Sequence, residues 1–183
     1  YALDKLILRV LSFKLVVLLA ITSWMRCQKL TNLDMSSKKS MIYIIQELYE
    51  AESAWTHSHL FYVPKYCEQK LCTYRTLENY VERTLPVRTV EQTALLLSSV
   101  KPCSPVGSST VGRWIKNLLE QSGVDTSVFK AHSTRAASAS KANQTVRIDA
   151  ALKHIGWSTK STFRKFYDKP FVDIDSFQNA VLK

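Results

Sequence analysis

Residues 129–144, FKAHSTRAASASKANQ, place two polar side chains at the start of a run rich in alanine and serine. His132 and Arg135 are three residues apart, so on a helical turn both would project from one face. An imidazole and a five-donor guanidinium held together can grip a phosphate group. The small residues that follow are typical of a helix that lets another group approach closely. Two unrelated surface residues would also fit this pattern, so its meaning depends on the rest of the chain.

The composition is that of a folded, basic protein. The chain has 183 residues, 46% of them hydrophobic, and a mean hydropathy of −0.10, which predicts a single domain over residues 1–183. It starts at Tyr1, which we interpret as a fragment of a longer protein. Lys and Arg number 25 against 15 Asp and Glu, a net charge of +10. The charges are spread through predicted helices and loops, which favours nucleic acid as partner over solubility charge or a membrane patch.

The N-terminal part reads as a buried helical region. The longest apolar run, residues 15–21, is far shorter than the roughly 20 residues that a bilayer span needs. It is flanked by Lys14 and Arg26, but no small-residue cleavage site follows, so we interpret it as a core helix and not as a signal peptide. Residues 3–23 are predicted to form one or two helices, with a core face made by Leu11, Leu15, Leu18 and Leu19.

The remaining pattern predicts a mainly helical fold with a small antiparallel sheet. Strand candidates are residues 41–48, 60–63 and 94–97. Helices are expected at 73–84, at 108–121 and from about His132, followed by 146–155, a helix that starts at 158 or 161 and ends at 167, and 174–181. Ser108 or Ser109 is the expected N-cap of the second of these, and Gly123 its expected end.

Four cysteines are few for a disulfide scaffold, and their number suits a reducing compartment. One group of soft ligands falls within sixteen residues and has a spacing that could hold zinc: His57, His59, Cys67 and Cys72. Two loop histidines and two half-buried thiols are the favoured interpretation. A small zinc-stabilised protein unrelated to DNA remains the alternative.

Two further segments carry a resemblance. Residues 18–34, LLAITSWMRCQKLTNLD, contain Arg26, and residues 152–170, LKHIGWSTKSTFRKFYDKP, contain a Gly-Trp-Ser turn and a helix that ends on Tyr167. In order with HSTR at 132–135, they resemble the catalytic domain of tyrosine recombinases, the phage-integrase family. The forms HSTRAA and TFRKFY are similar to recombinases of DIRS-type and Crypton-like eukaryotic mobile elements.

The resemblance implies a role for each matching residue. Arg26 and Arg135 would clamp the scissile phosphate, where charge develops on the non-bridging oxygens. His132 would act in acid–base transfer, Trp157 would donate its indole N–H, and Tyr167 would attack to form a 3′-phosphotyrosine. This scheme needs no metal and no cofactor. It implies the mainly helical catalytic-domain fold with its small antiparallel sheet, and an N-terminal DNA-binding domain that this sequence lacks.

The sequence departs from the family pattern in three places. The family usually carries a lysine in a β-hairpin turn, which protonates the leaving 5′ oxygen, but the matching stretch ELYEAESAWTHSHL has none. The nearest candidates are Lys38, Lys39 and Lys65. Trp24 stands where relatives often have glycine, and Trp157 and Tyr167 are ten residues apart, one more than the commonest spacing. The missing lysine predicts weakened activity.

The resemblance therefore implies a DNA breaking and rejoining enzyme for site-specific recombination or integration, from a mobile element or its relic. Its partners would be double-stranded DNA and further copies of itself, with no membrane. Its location would be intracellular, and nuclear in a eukaryote. The alternative is a catalytically degenerate module that binds duplex DNA on the same fold, and the missing hairpin lysine favours that alternative.

Overall fold

The computed structural model describes residues 3–35 and 63–143, together with the backbone of short strands at 38–39, 42–43, 45–47 and 60–61. The described residues are mainly helical, as predicted. Their α-helices are α1 (Leu8–Ser23), α2 (Cys27–Thr31), α3 (Thr73–Thr84), α4 (Ser108–Gln121) and α5 (Ser133–Asn143). Single 3-10 turns lie at Leu3–Lys5, Gln69–Leu71 and Leu85–Val87.

Helix α1 lies at the centre of the described fold and packs against α2, α3, α4 and α5. Leu11, Leu15 and Leu19 are fully buried and Leu18 is nearly so, which confirms the predicted core face. Burying a leucine side chain contributes about 1.5–3 kcal/mol of hydrophobic free energy. Helix α1 contacts both α2 and α5. It therefore determines the position of the α1–α2 junction relative to α5.

Helix α3 has the predicted bounds and buries Leu77 and Val81 against the core. Tyr80, on the same helix, is fully buried, and its hydroxyl oxygen accepts a hydrogen bond of 2.9 Å from the backbone N–H of Leu97. Burial raises the pKa of Tyr80 above its usual range, so the phenol stays protonated. This bond joins α3 to the segment that leads into α4.

Helix α4 spans the predicted residues but begins differently. Ser108 is already helical, and the N-cap is Gly107, whose carbonyl accepts hydrogen bonds from the N–H groups of Thr110 and Val111. The predicted side-chain cap from Ser108 or Ser109 is therefore wrong: no side chain caps this end. The predicted end is confirmed, because Gly123 follows the helix with a φ of 78°, a conformation that glycine adopts without strain.

The strands are short. β1 (Leu33–Asp34) pairs antiparallel with β4 (Ile45–Glu47), which pairs antiparallel with β5 (Leu60–Phe61), and β2 (Lys38–Lys39) pairs antiparallel with β3 (Ile42–Tyr43). They fall within or beside the predicted strand regions at 41–48 and 60–63. Pairings of two or three residues do not establish the predicted sheet.

The predicted strand at 94–97 is wrong. This segment makes only isolated bridges, from Ala94 to Asp34 and from Leu97 to Pro105. The guanidinium of Arg88 donates to the carbonyls of Ala94 and Leu95 at 2.6 Å each, and the backbone N–H of Leu95 donates to the carbonyl of Leu33 at 2.7 Å. The segment therefore lies beside β1 and is held by single hydrogen bonds, without a continuous ladder.

The expected helices at 146–155, at 158 or 161 to 167 and at 174–181 lie outside the described residues. Within the described ranges, no helix is both long enough and apolar enough to cross a membrane.

Candidate functional site

The junction between α1 and α2 determines where Arg26 lies. Helix α1 ends at Ser23, and the residue that follows it, Trp24, is buried and has a left-handed backbone with a φ of 56°. The hydroxyl of Ser23 donates to the carbonyl of Leu19 and accepts from the N–H of Met25, which closes the turn. Arg26 is then the N-cap of α2, and its side chain is exposed. The left-handed backbone at Trp24 is a conformation that glycine adopts without strain and that a residue with a Cβ atom rarely adopts.

The start of α5 determines where His132 and Arg135 lie. The helix begins at Ser133, one residue after the predicted start at about His132, and His132 lies in the preceding turn. The carbonyl of His132 accepts a hydrogen bond from the N–H of Arg135, and the Thr134 hydroxyl donates to the carbonyl of Ala131. His132 is exposed, whereas the Arg135 residue is only 9% exposed. One side chain can thus reach solvent while the other is held within the protein.

The alanine-rich sequence of α5 has a packing role. Helix α5 lies against α1, and Ala139 is fully buried. A methyl side chain allows two helices to approach closely, so the small residues bring the Arg135 turn near the C-terminal end of α1. The sequence predicted that another group would approach the small residues of α5 closely, and in the structure that group is helix α1.

A cleft of about 1010 Å³ opens between these elements and contains Arg26, His132 and Arg135 together. Its walls are the α1–α2 junction, the start of α4, and the segment from Val128 into α5. The described residues that line it are Ala20, Met25, Arg26, Cys27, Gln28, Ser108, Ser109, Ile115, Val128, Phe129, Ala131, His132, Ser133, Thr134, Arg135, Ala136, Ala137 and Ser140.

The cleft favours an anion. Two guanidinium groups and an imidazole line it, and the described lining contains no Asp or Glu. Hydroxyl groups that can donate hydrogen bonds also line the cleft, at Ser108, Ser109 and Ser133. Arginine presents several donors in a planar fork that matches phosphate or carboxylate oxygens. Partial burial strengthens such contacts because water screens them less.

Cys27 also lines the cleft, next to Arg26 in sequence. Burial raises the pKa of its thiol, although a backbone hydrogen bond opposes the shift. A thiol with a raised pKa is mostly protonated at neutral pH and is a poor nucleophile.

Two of the five predicted site residues, Trp157 and Tyr167, lie outside the described residues. No tyrosine is among the described residues of the cleft. Tyr66, Tyr74 and Tyr80, the tyrosines whose side chains are described, all lie elsewhere. The cleft as described therefore contains the groups that would hold a phosphate, without the proposed nucleophile.

The candidate lysines do not line the described cleft. Lys65 is exposed, and its ammonium lies 5.0 Å from the centroid of the Tyr74 ring on α3, a cation–π distance. Only the backbone is described for Lys38 and Lys39, which form β2. The general acid is thus not located among the described cleft residues.

The possible zinc ligands are not assembled in the described structure. His57 and His59 lie outside the described residues, and Cys67 is exposed whereas Cys72 is buried. The Cys72 sulfur accepts a hydrogen bond from the N–H of Tyr66 at 3.3 Å. Among the described residues, no group of three or more His, Cys, Asp or Glu side chains could hold a metal ion.

The sequence did not single out several residues of the cleft as site residues. The sequence predicts Ser108 and Ser109 only as possible helix caps, and it assigns Cys27 no role in a site. Phe129 opens the quoted stretch that contains His132, but no pattern assigned it a role. The available sign was a large apolar residue three positions before His132.

Comparison with solved structures supports the description of the fold. The chain is similar to a lambda integrase that was crystallised as a dimer bound to a COC′ core site, with a TM-score of 0.58 and 15% sequence identity. The similarity covers 93% of this chain and 61% of the integrase chain, so this chain spans about three-fifths of that protein's crystallised length. No protein-family model matches the sequence. No curated protein matches it either.

Proposed function

We propose that the protein is the catalytic domain of a DNA breaking and rejoining enzyme of the tyrosine recombinase type. The observation that carries the proposal is the cleft that Arg26, His132 and Arg135 share. These residues come from two distant segments and were selected from the sequence by their resemblance to one family. The similarity of fold to a lambda integrase supports the same conclusion independently of the motifs.

The reaction would follow from the charges in the cleft. Arg26 and Arg135 bind the non-bridging oxygens of a DNA phosphodiester, and Tyr167 attacks the phosphorus with its phenolic oxygen. The bond to the 5′ oxygen breaks, a 3′-phosphotyrosine forms, and the 5′ oxygen takes up a proton. His132 assists proton transfer, and Trp157 donates a hydrogen bond to the phosphate. Attack by a 5′ hydroxyl on the phosphotyrosine reverses these steps and rejoins the strand.

The partner would be duplex DNA, and the protein would act as an assembly of copies on it. The net charge of +10 and the absence of carboxylates from the described cleft lining favour a polyanion. The lambda integrase structure contains a dimer on a core site, which is the arrangement that we propose here. The motif forms extend the proposal to recombinases of DIRS-type and Crypton-like elements, which in a eukaryote would act in the nucleus.

The test is covalent capture of DNA. A pool of nicked duplexes of random sequence, which lose the 5′ hydroxyl strand after cleavage, is incubated with the protein and separated under denaturing conditions. We expect a protein–DNA adduct that disappears in Tyr167→Phe and persists in Tyr66→Phe, which changes an exposed tyrosine outside the cleft. An adduct that persists in Tyr167→Phe would mean that the nucleophile is misassigned.

The second candidate is a DNA-binding module that has lost catalysis. The hairpin stretch lacks lysine, and Lys65 is engaged with the Tyr74 ring outside the cleft. Such a module would bind duplex DNA through the same arginines but would give no adduct with any substrate. Binding that depends on Arg26, without covalent capture, would favour this candidate.

A further inference from the structure

The cleft has an apolar edge that phosphate binding does not explain. Val128 is 65% exposed and Phe129 is 52% exposed, and both line the cleft that contains His132 and Arg135. An apolar part of a ligand that covered these two adjacent side chains would remove their surface from water, which is favourable. The cleft volume of about 1010 Å³ exceeds the space that one phosphate group fills. An apolar part of the same ligand can therefore lie beside the bound phosphate.

The segment that presents Phe129 is held by a set of hydrogen bonds. Its N–H donates to the carbonyl of Asp125 at 2.9 Å, and the Asp125 carboxylate accepts from both the N–H and the hydroxyl of Ser127. Those bonds hold the pKa of the Asp125 carboxyl below its usual range. The Thr126 hydroxyl donates to the Glu120 carboxylate at 2.6 Å, which joins the segment to α4. The aromatic side chain is thus presented by an ordered turn.

We propose that Phe129, with Val128 beside it, packs against the deoxyribose that flanks the phosphate bound by Arg26 and Arg135. This inference rests on the proposed function, because it takes the phosphate to belong to DNA. On a duplex, the faces of the bases are covered by stacking, whereas a sugar lies next to every phosphate on the outside of the helix. The C–H groups of the sugar are the apolar surface within reach. Phe129 then acts as a positioning residue that fixes the strand along the cleft without reading its sequence.

The test uses three small ligands whose phosphate defines their register. Inorganic phosphate, 2-deoxyribose 3-phosphate and thymidine 3′-phosphate are titrated into isotope-labelled protein at low salt, and dissociation constants are taken from NMR shifts. We expect inorganic phosphate to bind weakly and the sugar phosphate to bind about threefold to tenfold more tightly, since one covered apolar contact of this size gives that ratio. Adding the base should change the affinity little.

Matched variants assign the gain to the side chain. Phe129→Ala should abolish the gain from the sugar and leave the affinity for inorganic phosphate unchanged, whereas Phe129→Leu should keep most of the gain. Tyr66→Ala, which removes a similarly exposed aromatic residue outside the cleft, should change neither value. Phe129 is half exposed, so its replacement should not prevent folding, and the same spectra verify this.

Two results would overturn the inference alone. One is binding of inorganic phosphate with no gain from the sugar, and the other is a gain that appears only when the base is added, which would mean base stacking. Failure of the wild-type protein to bind any of the three ligands would contradict the phosphate clamp itself, and with it both proposals. The two proposals therefore fail in different ways.

Discussion

Arg26 and Arg135 lie in different environments although both line one cleft. Arg26 is exposed at the N-cap of α2, whereas Arg135 is 9% exposed in the first turn of α5. A buried guanidinium is already desolvated and oriented before a ligand arrives, so it interacts with developing charge more strongly than an exposed one. In the proposed reaction, we therefore expect Arg135 to supply the larger part of the transition-state stabilisation and Arg26 to supply part of the initial DNA affinity.

Arg26→Ala should weaken binding to duplex DNA and make it less dependent on salt. Removing one phosphate contact should reduce the slope of log K against log salt by about 0.9. The control is Arg75→Ala, which removes an exposed arginine on α3 that does not line the cleft. Fluorescence anisotropy between low and moderate salt measures both slopes. Equal changes of slope in the two variants would mean that DNA affinity depends on the net charge of the protein and not on this cleft.

Lys65→Ala should leave the rate of adduct formation unchanged. The Lys65 ammonium lies 5.0 Å from the Tyr74 ring centroid and does not line the cleft, so it is not placed to protonate a leaving oxygen there. The substitution should instead lower the free energy of unfolding by about 0.5–1 kcal/mol, the value of an exposed cation–π contact. Single-turnover cleavage assays and urea unfolding separate the two effects. A loss of cleavage rate of 100-fold or more would identify Lys65 as the general acid.

Among single residues, the sequence predicted the cleft residues that belong to a recognisable motif. It missed the residues that reach the cleft only through the packing of the fold. Arg26, His132 and Arg135 each belong to a short pattern with a chemical reason, and all three line the cleft. Ser109 and Phe129 have no such pattern, since a serine near a helix start or an aromatic residue in a turn is common. Their presence in the cleft depends on how α4 and the turn at 125–129 lie against α1.

At the scale of elements, the α1–α2 junction carries a strained residue. Trp24 has a φ of 56°, where a side chain with a Cβ atom costs about 1–2 kcal/mol relative to glycine. The residue is also buried, so its ring contributes packing that offsets this cost. Because Arg26 follows two residues later, the same turn sets the direction of its side chain.

Trp24→Ala should destabilise the protein more than Trp24→Gly. Both lose the buried indole, about 3–5 kcal/mol, but alanine keeps the left-handed strain, so the glycine variant should be more stable by about 1 kcal/mol. Gly112→Ala on α4 is the control, because its added Cβ would lie 3.9 Å from the Cys27 sulfur, an ordinary contact. There alanine should be the more stable residue by about 0.5–1 kcal/mol. Urea unfolding with unchanged m-values checks both, and a Trp24→Ala variant as stable as Trp24→Gly would contradict the strain.

Hydrophobic periodicity predicted the helices better than it predicted their ends. The leucine spacing in α1 and the Leu77–Val81 pair in α3 reflect burial, which dominates the energetics of a helix. The cap of α4 and the segment at 94–97 depend on local hydrogen bonds that periodicity does not record. The N-cap is Gly107 and not the predicted serine, and the Arg88 guanidinium donates hydrogen bonds to the carbonyls of Ala94 and Leu95. Tertiary contacts of this kind leave no regular spacing in the sequence.

At the scale of the whole molecule, the net positive charge and the fold both favour a DNA-binding enzyme. The step that lacks an assigned residue is protonation of the leaving 5′ oxygen. The cleft concentrates positive charge that would stabilise the phosphoryl transition state, and the described lining holds no lysine. A positioned general acid typically contributes a factor of about 10²–10⁴ to a rate. In the proposed function, the missing hairpin lysine therefore predicts a protein that binds DNA and cleaves it slowly.

A substrate with sulfur in place of the bridging 5′ oxygen should restore the rate. A thiolate leaves without a proton, so we expect the rate of adduct formation to rise by about 10²-fold or more. This is the factor that a positioned general acid contributes to a rate. Tyr167→Phe should give no adduct on either substrate, because the attacking oxygen is gone. Arg135→Ala should remain slow on both substrates, because the sulfur removes the need for a proton donor but does not restore the lost positive charge. Arg135→Lys keeps the charge without the guanidinium fork, so its rate measures how much of the loss is due to charge alone. Equal rates of the wild-type protein on the oxygen and sulfur substrates would mean that a proton donor is already in place, and absence of an adduct on both would favour the DNA-binding module.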